Sequence, residues 1–303
     1  MNSENCAASA ISSVPATTSA AFLIRLRSPS AASAREKSRR MGPSGCMSLK
    51  WSAAWYPHRC RRSQAAAPCA WRPSRALPGA MDKPLTGQIA LVTGASRGMG
   101  FASAEWLAAQ GAHVVAVART VGGLEDLDDR IQAAGGEATL VPLDVTDEGA
   151  VAQMCRAIHD KWGRADIWVH AALQVSALTP APHLTAKDLD KLIATNIRAF
   201  SRLVAMIDPL IAPSKTPQAV FFDDVWDAKF AAGYGLSKAA QRALVECWQA
   251  ETRRFGPKVH LLRPNPMPTA VRARFYPGED TSRLAHPRDE AARLLPVLLE
   301  TLR

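Results

Sequence analysis

Ile89-Ala90-Leu91-Val92-Thr93-Gly94-Ala95-Ser96-Arg97-Gly98-Met99-Gly100 is the stretch that decides the fold. A short apolar run closed by glycines reads as a buried strand feeding a tight turn. The residues after Gly98 then read as a helix. Strand, glycine-rich turn and helix together aim backbone N–H groups and a helix N-terminus at a pyrophosphate. Gly94 allows the tight turn, Gly98 the close backbone approach and Gly100 the packing of helix on strand. The candidate cofactor loop is therefore Thr93, Gly94, Ser96, Arg97, Gly98, Met99 and Gly100.

Outward from that loop, short apolar runs alternate with amphipathic segments, the pattern of a parallel α/β sheet. Strands are predicted at Ile89–Thr93, His113–Ala118, Ala138–Leu143, Ile167–Ala171, Ala219–Phe222 and Val259–Leu262. Helices are predicted at Gly98–Gln110, Leu124–Ala134, Glu148–Trp162, Ala186–Ile211, Tyr234–Phe255 and Arg288–Leu302. Six strands with right-handed crossovers give a three-layer, Rossmann-type, doubly wound sheet in a single domain. Residues 212–218 and 264–285 read as loops, the second long enough to cover a site.

The second strand ends in Val117-Ala118-Arg119-Thr120. A carboxylate there would bind the ribose 2′-hydroxyl of NAD, whereas arginine accommodates the 2′-phosphate of NADP. Arg119, with Arg97 in the loop, favours NADP over NAD. Tyr234-Gly235-Leu236-Ser237-Lys238 places a tyrosine and a lysine four apart on one helical face. An ammonium beside a phenol lowers its pKa and makes the hydroxyl a usable acid or base.

With these residues in place, residues 81–303 resemble the short-chain dehydrogenase/reductase family. The resemblance runs through Thr93, Gly94, Gly98 and Gly100, then Asp144 with Val145 at the adenine. It continues through Asn196 on a helix, Tyr234 and Lys238, and Thr269 five residues after Pro264. It implies a NADPH-dependent carbonyl reductase, or alcohol dehydrogenase in reverse, acting on a small molecule. Tyr234 is then the proton donor, Lys238 lowers its pKa and binds ribose, and Asn196 holds a relay water. The chain departs from the family at three places. His170-Ala171-Ala172 stands for Asn-Ala-Gly, which makes His170 a cofactor-lining position. Pro264-Asn265 stands for Pro-Gly. Phe221 occupies the position of the catalytic serine, and Asp223-Asp224 follow where serines are expected. Asp224 is a catalytic candidate with open roles: a protonated donor, a holder of water or of a basic substrate group, a carboxylate opposing an oxyanion, or a loop cap. A rival function follows from these departures: a catalytically impaired dinucleotide-binding protein acting as a sensor or interaction module.

The net charge of +10 is not spread over this domain. Residues 1–80 carry 12 Lys and Arg against 2 Asp and Glu, while residues 81–303 carry 25 of each sign. A basic folded domain, and with it a nucleic-acid partner, is excluded. Residues 1–80 read as a disordered leader, with Met81 as the natural start and a targeting segment or functional tail as alternatives. No apolar run is long enough to span a membrane. No C-x-x-C pair and no metal-ligand spacing occurs. Cys155 and Cys247 read as buried thiols, so a cytoplasmic protein without a metal is expected. The family's last strand has no counterpart before Arg303, which leaves a homo-oligomer an open expectation.

Overall fold

The computed structural model describes residues 83–224 and 228–300. The expected leader over residues 1–80 and the start at Met81 lie outside them. Six strands, β1 (Ile89–Thr93), β2 (His113–Ala118), β3 (Glu137–Pro142), β4 (Ile167–His170), β5 (Gln218–Phe222) and β6 (Lys258–Leu262), form one parallel sheet. The spatial order is β3-β2-β1-β4-β5-β6. The order reverses beside β1, so the crevice for a ligand opens at the C-terminal ends of β1 and β4. β1 and β2 are continuous apolar runs because helices cover both faces.

On one face lie α1 (Gly98–Ala109), α2 (Val121–Ala133), α8 (Pro287–Leu294) and the short α9 (Val297–Glu300). Leu107, Leu124, Ile131, Val114 and Leu295 pack there. On the other lie α3 (Glu148–Trp162), α5 (Phe200–Ile211) and α6 (Ala232–Glu251), with Trp168, Phe200, Leu203, Phe221 and Trp248 in contact. α3 is closed at both ends by local chemistry: Asp147 accepts from Ala150 N, and Gly163 at φ 74° ends the helix in the left-handed region.

Three expectations are corrected. The predicted helix over Ala186–Ile211 is continuous but not uniform. It runs as α4 (Ala186–Leu192), a π-type stretch Ile193–Ala199 and α5. The predicted loop 264–285 contains α7 (Ala270–Phe275), whose Thr269 accepts from Arg272 N. Cys247 is exposed and Cys155 only half-buried. Burial still pushes the Cys155 thiol up to about 11.

Candidate active site

A cleft of about 610 Å³ follows the C-terminal edge of the sheet, from the β1–α1 turn to α7. On the β1 side its wall is backbone. Gly94 has φ +83°, and a Cβ there would lie 2.5 Å from Ala171 C and Ala172 N. Gly98 has φ +59°, and a Cβ on Gly100 would collide with the Gly94 carbonyl. Glycine is thus required at 94 by conformation and space, and at 100 by space alone. Ser96, Arg97, Met99, Arg119, Asp144, Val145, His170 and Thr269 also line the cleft. Thr93 does not. It is fully buried behind the turn, with its hydroxyl 2.8 Å from His170 Nδ1.

Arg119 and Asp144, expected at opposite parts of an adenosine site, face each other, with Nη1 to Oδ2 at 3.6 Å. Both side chains are roughly half exposed. Burial would raise the Asp144 pKa, but donors from Thr146 and the Arg119 charge hold it below its ordinary value. His170 is buried against Phe200, Trp168 and Phe221. Burial, with the Lys238 charge, pulls its pKa to about 3, so the imidazole is neutral. Its Nε2 has no partner among the described residues.

Asn196 sits in the π-type stretch, fully buried, and does not line the cleft. Its Oδ1 accepts from Gln174 N at 2.8 Å, and its Nδ2 donates to Gln174 O and Ser237 Oγ. The side chain therefore ties the segment after β4 to α6.

Tyr234 and Lys238 come from the first turns of α6 and are both buried. Lys238 Nζ donates to Phe222 O at 2.6 Å, and Tyr234 Oη donates to Asp224 Oδ2 at 2.6 Å. The expected lowering of the tyrosine pKa is not what the site shows. Burial first, and then the Asp224 carboxylate, push the phenol well above its ordinary range. Burial pulls the Lys238 ammonium below its own, against the attraction of Asp224 and Asp223. Among the described residues, the contact that Asp224 makes is with the phenol of Tyr234.

Sequence reasoning singled out Asp223 and Asn265 but missed their partners. Asp223 is buried at the end of β5, its Oδ2 2.7 Å from Arg263 Nη2 and 3.6 Å from Arg242 Nη1. Glu290 on α8 is buried and accepts from Asn265 N and Nδ2, and from Arg293. Asn265, in place of the expected glycine, thereby anchors the segment leading to Thr269. Arg272 on α7 makes a two-pronged pair with Glu279. These contacts join residues up to 40 apart in sequence, and no local pattern announces them.

A family profile described as short chain dehydrogenase matches residues 88–280. The chain belongs to the short chain dehydrogenase family. Among curated members, it is 30% identical over 199 residues to gluconate 5-dehydrogenase of Gluconobacter oxydans, covering 65% of this chain and 77% of that one. It is 32% identical over 171 residues to fatty acyl-CoA reductase of Acinetobacter baylyi, covering 54% of this chain. That match spans 57% of the reductase's own length. A metagenomic short-chain oxidoreductase solved in complex with NADP superposes with a TM-score of 0.61 at 29% identity, over 71% of this chain and 92% of that one. Among the described residues of this dehydrogenase-family chain, no helix is long and apolar enough to cross a membrane, and no His/Cys/Asp/Glu group is arranged to hold a metal.

Proposed function

We propose that the protein is an oxidoreductase that binds a nicotinamide dinucleotide along the cleft, NADP(H) in preference to NAD(H), and interconverts a small carbonyl compound and its alcohol. One observation carries this reading: a glycine turn with no room for a Cβ at Gly94 or Gly100 and a buried Tyr–Lys pair open into the same cleft. The residues present fit a dinucleotide. Gly94, Ser96, Gly98 and Gly100 would hold the pyrophosphate, Arg119 and Arg97 a 2′-phosphate, Asp144 and Val145 the adenine, and Thr269 the carboxamide end. Lys238, Tyr234 and His170 would flank the nicotinamide ribose. When bound, the dinucleotide supplies or accepts the hydride.

The protein's part is orientation and proton management. Tyr234 holds a proton on Oη at the cleft wall, and Lys238 is fixed by the Phe222 carbonyl at the foot of the same wall. Asn196 positions α6 against the segment after β4. The half-buried Cys155 thiol and the absence of a membrane-spanning helix among the described residues are consistent with a reducing cytoplasm. One observation favours the rival reading of an impaired dinucleotide-binding protein: the Tyr234 proton points at Asp224.

A screen of alcohols and ketones with NADP⁺ and NADPH, wild type beside Tyr234→Phe, separates the two. Turnover that falls by about 10²- to 10⁴-fold in the variant supports the enzyme. Dinucleotide binding with no turnover across the panel supports the rival.

A further inference from the structure

We propose that Asp224 is the proton acceptor of this site, taking the proton of Tyr234 while Tyr234 takes that of an alcohol, so that the Tyr234–Asp224 pair is built for alcohol oxidation. The inference rests on the activity proposed above and adds a residue and a direction to it.

The geometry is a phenol Oη 2.6 Å from a carboxylate oxygen, within the range of short charge-assisted O–H···O⁻ bonds. With its O–H directed at Asp224, Tyr234 keeps an oxygen lone pair with which to accept a proton. An alcohol O–H bond can then break toward Oη while the phenolic O–H bond breaks toward Oδ2. The alcohol carbon gives up its hydride to an oxidised nicotinamide dinucleotide, and the product is a ketone or aldehyde. The result is one proton on Asp224, one on Tyr234 and a reduced dinucleotide, with no tyrosinate left beside a carboxylate. The reverse reaction needs Asp224 already protonated. Without that proton, giving up the phenolic one creates two anions 2.6 Å apart.

Among the described residues, no other group around the pair takes this role. On β5, Asp223 is held by Arg263 and Arg242, and on α6 Lys238 is committed to Phe222 O. On β4, neutral His170 is bonded through Nδ1 to Thr93. From α7, Arg272 is paired with Glu279, and Arg274 is a guanidinium that has no proton to exchange near neutrality. Among the described residues, Asp224 alone combines contact with the phenol and the ability to accept.

Three proteins test this: the full chain, Asp224→Asn and Tyr234→Phe, with Asp224→Ser replacing the amide variant should that fail to fold. The chain has only three tyrosines, Tyr56, Tyr234 and Tyr276, so tyrosinate absorbance after a pH jump, less that of Tyr234→Phe, isolates Tyr234. In Asp224→Asn its midpoint should fall by at least about one pH unit, because a neighbouring anion has gone. An unchanged midpoint overturns the proposal. Cyclohexanol with NADP⁺ is the kinetic probe. In Asp224→Asn the rate should fall by about 100-fold. Loss of oxidation in Tyr234→Phe with full oxidation in Asp224→Asn overturns the role of Asp224 and leaves the proposed activity standing. Full oxidation in both variants overturns the roles of both side chains, and no turnover of any alcohol by the wild type overturns the proposed activity itself.

Discussion

On the β1 side of the cleft the wall is main chain, whereas on the β5–β6 side it is charged side chains. Gly94 and Gly100 fix the first wall by what they lack, since an added carbon would strike the Ala171–Ala172 peptide or the Gly94 carbonyl. The second wall is held by Asp223 with two arginines, Glu290 with Asn265 and Arg293, and Tyr234 with Asp224. A backbone wall suits a ligand part that stays the same, because its donors are fixed by the turn. A side-chain wall can be altered residue by residue, and here it carries the departures at Asp223, Asp224 and Asn265.

If that contrast holds, the side-chain wall should be the place where single charge changes cost most stability. Glu290→Ala removes the acceptor for Asn265 and Arg293 in a buried position, and should destabilise by on the order of 3 kcal/mol, read from urea unfolding. The hydrogen bonds from Arg293, outweighing burial and joined by those from Asn265, hold the Glu290 pKa at about 2 instead of 4.5. A depressed carboxylate adds stability that is complete above about pH 4.5 and drains away as pH falls toward 2. Glu290→Gln should therefore flatten the acid limb of a stability–pH curve over that window. An unchanged limb would place the strength of this wall elsewhere.

A smaller effect is expected at the rim of the other wall. Arg119→Asp removes the proposed partner of a 2′-phosphate and supplies a ribose acceptor. NADP⁺ affinity should fall by about ten- to a hundredfold and NAD⁺ affinity should rise, as titration of both will show. Because Arg119 and Asp144 are both roughly half exposed, the same substitution should change stability by less than about 1 kcal/mol. A large stability loss would mean that this pair, too, is structural.

The two walls also differed in how far they could be read in advance. β1 and β2 have the predicted bounds, and β3 is displaced by one residue, because continuous apolar runs and closing glycines are local signals. Loop 264–285 is rich in proline and glycine, which concealed the six-residue α7. The π-type stretch carries Asn196, whose side chain reaches Gln174, 22 residues away, and no helical period contains that. Tyr234 and Lys238 could be named from their spacing. That Asp224 would meet the phenol, and that Lys238 would turn to the Phe222 carbonyl, follows only from where the end of β5 lies against α6.

If the backbone wall receives the dinucleotide, titrating NADPH fluorescence against wild type and Gly94→Ala will show it. Wild type should bind saturably. Gly94→Ala, confirmed as folded by circular dichroism, should bind at least about tenfold more weakly, since relieving the clash with Ala171 and Ala172 must move the turn by a fraction of an ångström or more. Equal affinity in the two proteins, or no saturable binding by wild type, would contradict the account.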